Sequence, residues 1–151
     1  MQHLGFVGFG EAAYHIAKGL RGEGVSISAY DIKVSEKVRT RANDTAVDLL
    51  ESPAALARVA DVIISAVTAD QAVPAAEQNA PHLTSKHLYC DLNSISPKAK
   101  ERVAAIASCS QSAQTFARNP DPTGECSSSS SSPFSISLGA IEILIVLYAF
   151  D

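Results

Sequence analysis

The stretch HLGFVGFGEAA, residues 3–13, decides the fold. It begins as a short apolar run that stops at Gly8, the pattern of a strand buried on both faces of a parallel sheet. From Glu11 to Arg21, Ala12, Ile16, Ala17 and Leu20 return at helical spacing until Gly22 and Gly24 stop them. A strand therefore passes into a helix through Gly8-Phe9-Gly10.

Working outward, VSISAYD (residues 25–31) alternates β-branched and small residues and ends on Asp31, and a second helical stretch spans Ser35 to Arg41. That completes a β-α-β unit. Ser52-Pro53 opens a short helix, Asp61 precedes the apolar strand Val62 to Val67, and Asp70 to Asn79 reads as a further helix. His87 to Asp91 is a strand, and Pro97 to Ala107 a helix with Ser96 as N-cap and Pro97 at its first position. Strands alternating with helices specify an α/β fold, a Rossmann-type doubly wound parallel sheet, over residues 1–107. Right-handed crossovers put the C-terminal ends of all its strands along one edge, where such folds bind ligands.

Gly8-Phe9-Gly10-Glu11-Ala12-Ala13 is G-x-G-x-x-A at a strand-to-helix junction. Gly8 permits the tight turn, Gly10 lets the backbone approach a pyrophosphate, and Ala13 lets helix and strand pack closely. The unpaired N–H groups and positive dipole end of the helix then face the phosphates. Asp31, ending the second strand about twenty residues on, is placed to bind both ribose hydroxyls of a dinucleotide. Its charge favours NAD over NADP, whereas Lys33, helped by Arg39 or Arg41, is the feature that would accommodate the 2′-phosphate of NADP.

The remaining composition narrows the field. A chain of 151 residues with a formal net charge of −4 has no basic face for a nucleic acid. Cys90, Cys109 and Cys126 fit neither a disulfide framework nor a paired-cysteine metal site and read as reduced thiols. The N-terminal residues lack the basic and long apolar regions of a secretory signal, so a cytoplasmic location is expected. His3, His15, His82 and His87 share no metal-ligand or nucleophile-base spacing, and Tyr14 and Tyr30 read as packing residues.

GFVGFGEAAYHIAKGL, AYD, ADVIISAVTAD and YCDLNSISPKAKERVA, in this order and spacing over about residues 3–107, resemble the β-hydroxyacid dehydrogenases, the family of 6-phosphogluconate and 3-hydroxyisobutyrate dehydrogenases. Asp91-Leu92-Asn93-Ser94-Ile95-Ser96-Pro97 is the most specific element, similar to the family's signature after the fifth strand. The resemblance implies that Val67 and Thr68 line the path from adenosine to nicotinamide, with Asn93 and Ser94 beside the nicotinamide and the substrate's hydroxyl or carboxylate. Short amide and hydroxyl side chains suit that place because they can donate hydrogen bonds to an oxyanion. The Phe9 to Ala13 version of the turn departs from the commoner family form and leaves the substrate open among small hydroxy acids and sugar acids.

Family members continue into a sixth strand and a helical domain with a catalytic lysine and asparagine, a pattern the residues after Ala107 do not follow. The resemblance therefore implies a truncated dehydrogenase, with NAD or NADP bound and catalysis incomplete; the alternative is a non-catalytic nucleotide-binding or interaction module. Residues 108–135, with Asn119-Pro120-Asp121-Pro122 and six serines from Ser127 to Ser132, read as a Ser/Pro-rich linker. Residues 136–151 form an apolar tail unrelated to the family. Its Ile136 to Phe150 run is shorter than the roughly 20 residues that span hydrocarbon, which argues against a membrane anchor. Within it, Ile141 to Tyr148 reads either as an edge strand in the place of the family's sixth strand or as a β-prone segment for self-association, and a frame change or splice variant is a third origin for the tail.

Overall fold

The computed structural model describes residues 3–118, and their side chains as far as Ser108. Five strands, β1 (His3–Val7), β2 (Ser26–Tyr30), β3 (Asp48–Leu50), β4 (Val62–Ser65) and β5 (Leu88–Asp91), form one sheet in the order β3-β2-β1-β4-β5. Every pairing is parallel, with Val7 opposite Tyr30 on one side and Ser65 on the other. The chain fills the sheet outward from β1 to β3, then crosses back to add β4 and β5. Between β1 and β4 lies the point where strand order reverses, the place such sheets open a crevice. The expected α/β Rossmann architecture is thus the observed one.

Among the described residues, four α-helices make the crossovers, α1 (Glu11–Gly19), α2 (Glu36–Thr45), α3 (Pro53–Val59) and α4 (Ala72–Asn79), and a fifth, α5 (Pro97–Arg118), follows β5. Serine oxygens cap three of them, Ser35 receiving Val38 N at 3.3 Å, Ser52 receiving Ala55 N at 3.1 Å and Ser96 receiving Ala99 N at 3.3 Å. Leu4, Phe6 and Val7 of β1 and Val62, Ile63 and Ile64 of β4 are all buried, as central parallel strands require. On one face Val7 and Ile63 join Leu56, Ala57 and Ala60 of the α3 segment, Ala75 of α4 and Leu83 in a single cluster.

Several boundaries differ from those read in the sequence. β3 was not foreseen: three residues, Asp48-Leu49-Leu50, on the sheet edge are too few to show a period. α2 continues past Arg41 to Thr45 and is closed by Ala46 in the left-handed region at φ 54°, a helix end that no glycine announces. The ladder of β4 stops at Ser65, because the next main-chain donor but one, Val67 N, is taken by the Asn93 side chain. α5 runs beyond Ala107 to Arg118; neither glycine nor proline interrupts it before Pro120. Residues 119–135 of the expected linker and the apolar tail 136–151 lie outside the described residues. Among the described residues, no helix is long and apolar enough to cross a membrane.

Candidate functional site

Gly8 leaves β1 with φ +82°, and its N–H donates to Tyr30 O at 2.8 Å, so the turn stays tied to the end of β2. A Cβ at Gly8 would lie 2.7 Å from Val67 Cγ1 and 2.8 Å from Ala66 O, so only glycine lets β1 and the β4 loop approach this closely. Gly10 is the N-cap of α1 and, unlike Ser35, Ser52 or Ser96, offers no side-chain acceptor to the first turn. A Cβ at Gly10 would meet nothing within 4 Å. The helix start therefore has uncapped amides beside open space, with the positive end of the helix dipole behind them.

Phe9 points the other way. Its ring is fully buried, edge-on to Phe6 with centroids 6.0 Å apart, so only its main chain borders the turn. Phe9 N donates to Asp31 Oδ2 at 2.8 Å and Lys33 N donates to Asp31 Oδ1 at 2.8 Å. These two amides fix the half-buried carboxylate while each oxygen keeps lone pairs for further donors. Ala13 is buried against the sheet, whereas Glu11, Ala12 and Lys33 are exposed, and Ile32 beside Asp31 is 74% exposed. The turn, the α1 start and Asp31 thus meet at the C-terminal edge of β1 and β2, which sets open main-chain amides beside a held carboxylate.

At the ends of β4 and β5 the arrangement is different. Asn93 is buried and its amide is fully engaged: Oδ1 accepts from Val67 N at 2.7 Å, while Nδ2 donates to Ser65 Oγ at 3.0 Å and to Asp91 Oδ1. Lys100 of α5 donates to Asp91 Oδ2 at 2.6 Å and to Asp91 O at 3.0 Å. Leu92 N donates to Ser65 O at 3.0 Å, drawing the same two strand ends together. Thr68 and Ser94, next in sequence to Val67 and Asn93, are exposed, and Val67 is half-buried. The structure brings Val67 and Asn93 into direct contact, while Asn93 spends its amide on the protein. Ser65 and Lys100, part of the same network, were not singled out by sequence reasoning: no local spacing connects α5 to the end of β4.

Elsewhere, the polar groups of two histidines and of Tyr14 have structural partners. His87, buried, shares a hydrogen bond of 2.7 Å with Ala57 O, and His3 one of 2.8 Å with Ser28 Oγ. Tyr14, expected to pack, instead donates from the surface of α1 to Asp44 Oδ2 at 2.6 Å, a bond that holds the Asp44 carboxyl below its usual range. Burial pushes the Cys90 thiol up to about 11, which suppresses the reactive thiolate. No cluster of His, Cys, Asp or Glu that could hold a metal ion occurs among the described residues.

Residues 3–116 match the model of the NAD binding domain of 6-phosphogluconate dehydrogenase. The chain belongs to that family. The match extends beyond Ala107, where the motif-based resemblance stops. A conserved hypothetical protein from Sinorhizobium meliloti 1021 is 35% identical, with a TM-score of 0.67 over 72% of this chain and 38% of its own. The conserved protein MTH1747, of unknown function and described as structurally similar to 3-hydroxyacid dehydrogenases, is 30% identical, with a TM-score of 0.60 over 70% of this chain and 39% of its own. Mycobacterium tuberculosis 3-hydroxyisobutyrate dehydrogenase shares the fold at 20% identity, with a TM-score of 0.65 over 73% of this chain and 38% of its own. No curated protein matches. This NAD-binding family domain therefore spans well under half the length of these relatives.

Proposed function

We propose that the chain seats NAD along the C-terminal edge of the sheet, as the cofactor half of an oxidoreductase acting on the CH–OH group of a small hydroxy acid or sugar acid. The observation that carries this reading is the uncapped start of α1 at Gly10, open where a Cβ would stand, next to a carboxylate held 2.8 Å from the amide of the same turn. Main-chain amides of Gly10 to Ala13 receive the pyrophosphate, Asp31 accepts from the ribose hydroxyls, and exposed Ile32 offers an apolar surface to the adenine. Val67 and Thr68 border the path to the nicotinamide. Ser94, exposed, meets the substrate, while Asn93 holds the floor on which it stands. NAD, when bound, supplies the hydride acceptor; the residues of this domain bind, orient and exclude water.

NAD is preferred to NADP in this reading because the fixed charge of Asp31 would repel a 2′-phosphate. Turnover by the 151-residue chain alone is expected to be small. A general acid or base for the alcohol proton contributes typically 10²–10⁴-fold, and Lys100 on α5 is held against Asp91. A cytoplasmic location belongs to the same proposal, the buried Cys90 being a free thiol.

Calorimetric titration of the full chain with NADH and NADPH, followed by a screen of hydroxy acids for turnover, tests the reading. NADH binding tighter than NADPH is the expected outcome; turnover would add the enzyme's activity, and binding without it would leave a nucleotide-binding module. Failure to bind either dinucleotide would overturn the proposal.

A further inference from the structure

Asn93 poses a chemical problem that its neighbours solve. A primary amide is nearly symmetric in shape, yet only one of its two orientations serves both strand ends: Oδ1 must face the donor Val67 N, and Nδ2 must face acceptors. Ser65 Oγ does not choose between orientations, because a hydroxyl both donates and accepts. A carboxylate does choose, since it only accepts. Asp91 stands against Nδ2, and its side chain is 9% exposed. A carboxylate so far removed from water needs a compensating charge, and Lys100 Nζ supplies it at 2.6 Å. Lys100 also holds the main chain of the β5 end through Asp91 O at 3.0 Å.

The order of contacts is therefore Lys100 on α5, Asp91 at the end of β5, Asn93 in the following loop, Val67 in the loop after β4, and then Gly8, whose missing Cβ leaves room for Val67 Cγ1. We infer that Lys100 and Asp91 are positioning residues for the nicotinamide half of the cofactor site: they set the orientation of the Asn93 amide and thereby the course of the Val67–Thr68 loop. This rests on the NAD reading above. Neither residue touches the adenosine end, where Asp31 is held by Phe9 N and Lys33 N. The network should therefore affect the two halves of a dinucleotide unequally, which a purely structural ion pair would not do.

The experiment compares NADH with ADP-ribose, which lacks the nicotinamide, on the full chain and on Lys100→Met, Lys100→Gln and Lys100→Arg variants. Binding is measured by calorimetry and by the fluorescence of bound NADH. Lys100→Met and Lys100→Gln should weaken NADH about tenfold while leaving ADP-ribose within about twofold, and Lys100→Arg, which keeps the charge, should recover most of the loss. Bound NADH in the Met and Gln variants should also emit more like the free nucleotide. Retained ADP-ribose binding reports a folded adenosine site in the same sample. Should either neutral variant fail to fold, the other and an Asn93→Ala variant carry the comparison. Equal loss of both ligands, or no loss of either, would overturn the assignment of Lys100 and Asp91 and leave the NAD reading standing. A wild-type chain that binds neither ligand would overturn both.

Discussion

Gly8 and Gly10 stand two residues apart in one turn, yet for opposite reasons. At Gly8 the chain sits at φ +82° and a Cβ would press on Ala66 O at 2.8 Å, a main-chain atom that cannot swing aside. Left-handed strain of roughly 1–2 kcal/mol adds to that clash, so Gly8→Ala should cost about 3 kcal/mol, read as a lower urea midpoint. At Gly10, φ is −77° and the space is open, so Gly10→Val should change stability by less than about 1 kcal/mol. It should nonetheless abolish NADH binding, because its side chain would fill the proposed phosphate seat. A Gly10→Val protein with unaltered affinity would contradict the assignment of the turn. Both glycines are legible as a G-x-G-x-x-A motif; the need for a missing side chain at Gly8 is visible in the fold, and at Gly10 it belongs to the proposed phosphate seat. The engagement of Asn93 was not legible: the residue type shows that hydrogen bonds will be made, and only the fold shows with what.

Elements were readable where their ends carry chemistry. Ser52-Pro53 and Ser96-Pro97 start α3 and α5 where expected, because a serine oxygen caps the first turn and proline loses nothing at the first helical position. β3 and the last turn of α2 lack such markers. The edge strand owes its existence to pairing with β2 from Ser28 to Tyr30, a tertiary fact. The cap on α3 also separates stability from binding. Ser52→Ala removes the acceptor for Ala55 N and should lower unfolding free energy by about 1 kcal/mol in urea titration. NADH affinity should not change, since α3 packs through Leu56 and Ala57 into the core cluster and the Ser52 bond lies within its own first turn.

The molecule as a whole carries two groups on β5 that hold their protons more tightly when folded. Burial pushes the Cys90 thiol from an ordinary 9.0 to about 11, and the Tyr89 phenol from 10.0 to about 12, with Ser65 opposing the latter shift. The Tyr89 hydroxyl is buried and finds no partner at hydrogen-bond geometry, so desolvation dominates. Because each folded value lies above the unfolded one, this stabilisation is whole below pH 9 and is lost as pH rises towards 11 and 12. The loss should be on the order of 2 kcal/mol per group. Thermal melts between pH 8 and 11 should show Tm falling from about pH 9, and Cys90→Ala should move the onset towards 10. A flat profile would remove β5 from the account of alkaline stability. Alternation of elements and a glycine motif made the sheet legible in the sequence, because both are local. The Lys100 to Asp91 pair joins a helix to the end of a strand, and its meaning emerges only when both converge on Asn93.

The bond from Phe9 N to Asp31 Oδ2 closes a ring that runs through α1 and β2. Its consequence is metrical. The proposed seats for a diol and for a diphosphate sit on one hydrogen-bonded frame, so the gap between them is set by that frame. A ligand is measured against that fixed gap before any of its more distant groups are tried.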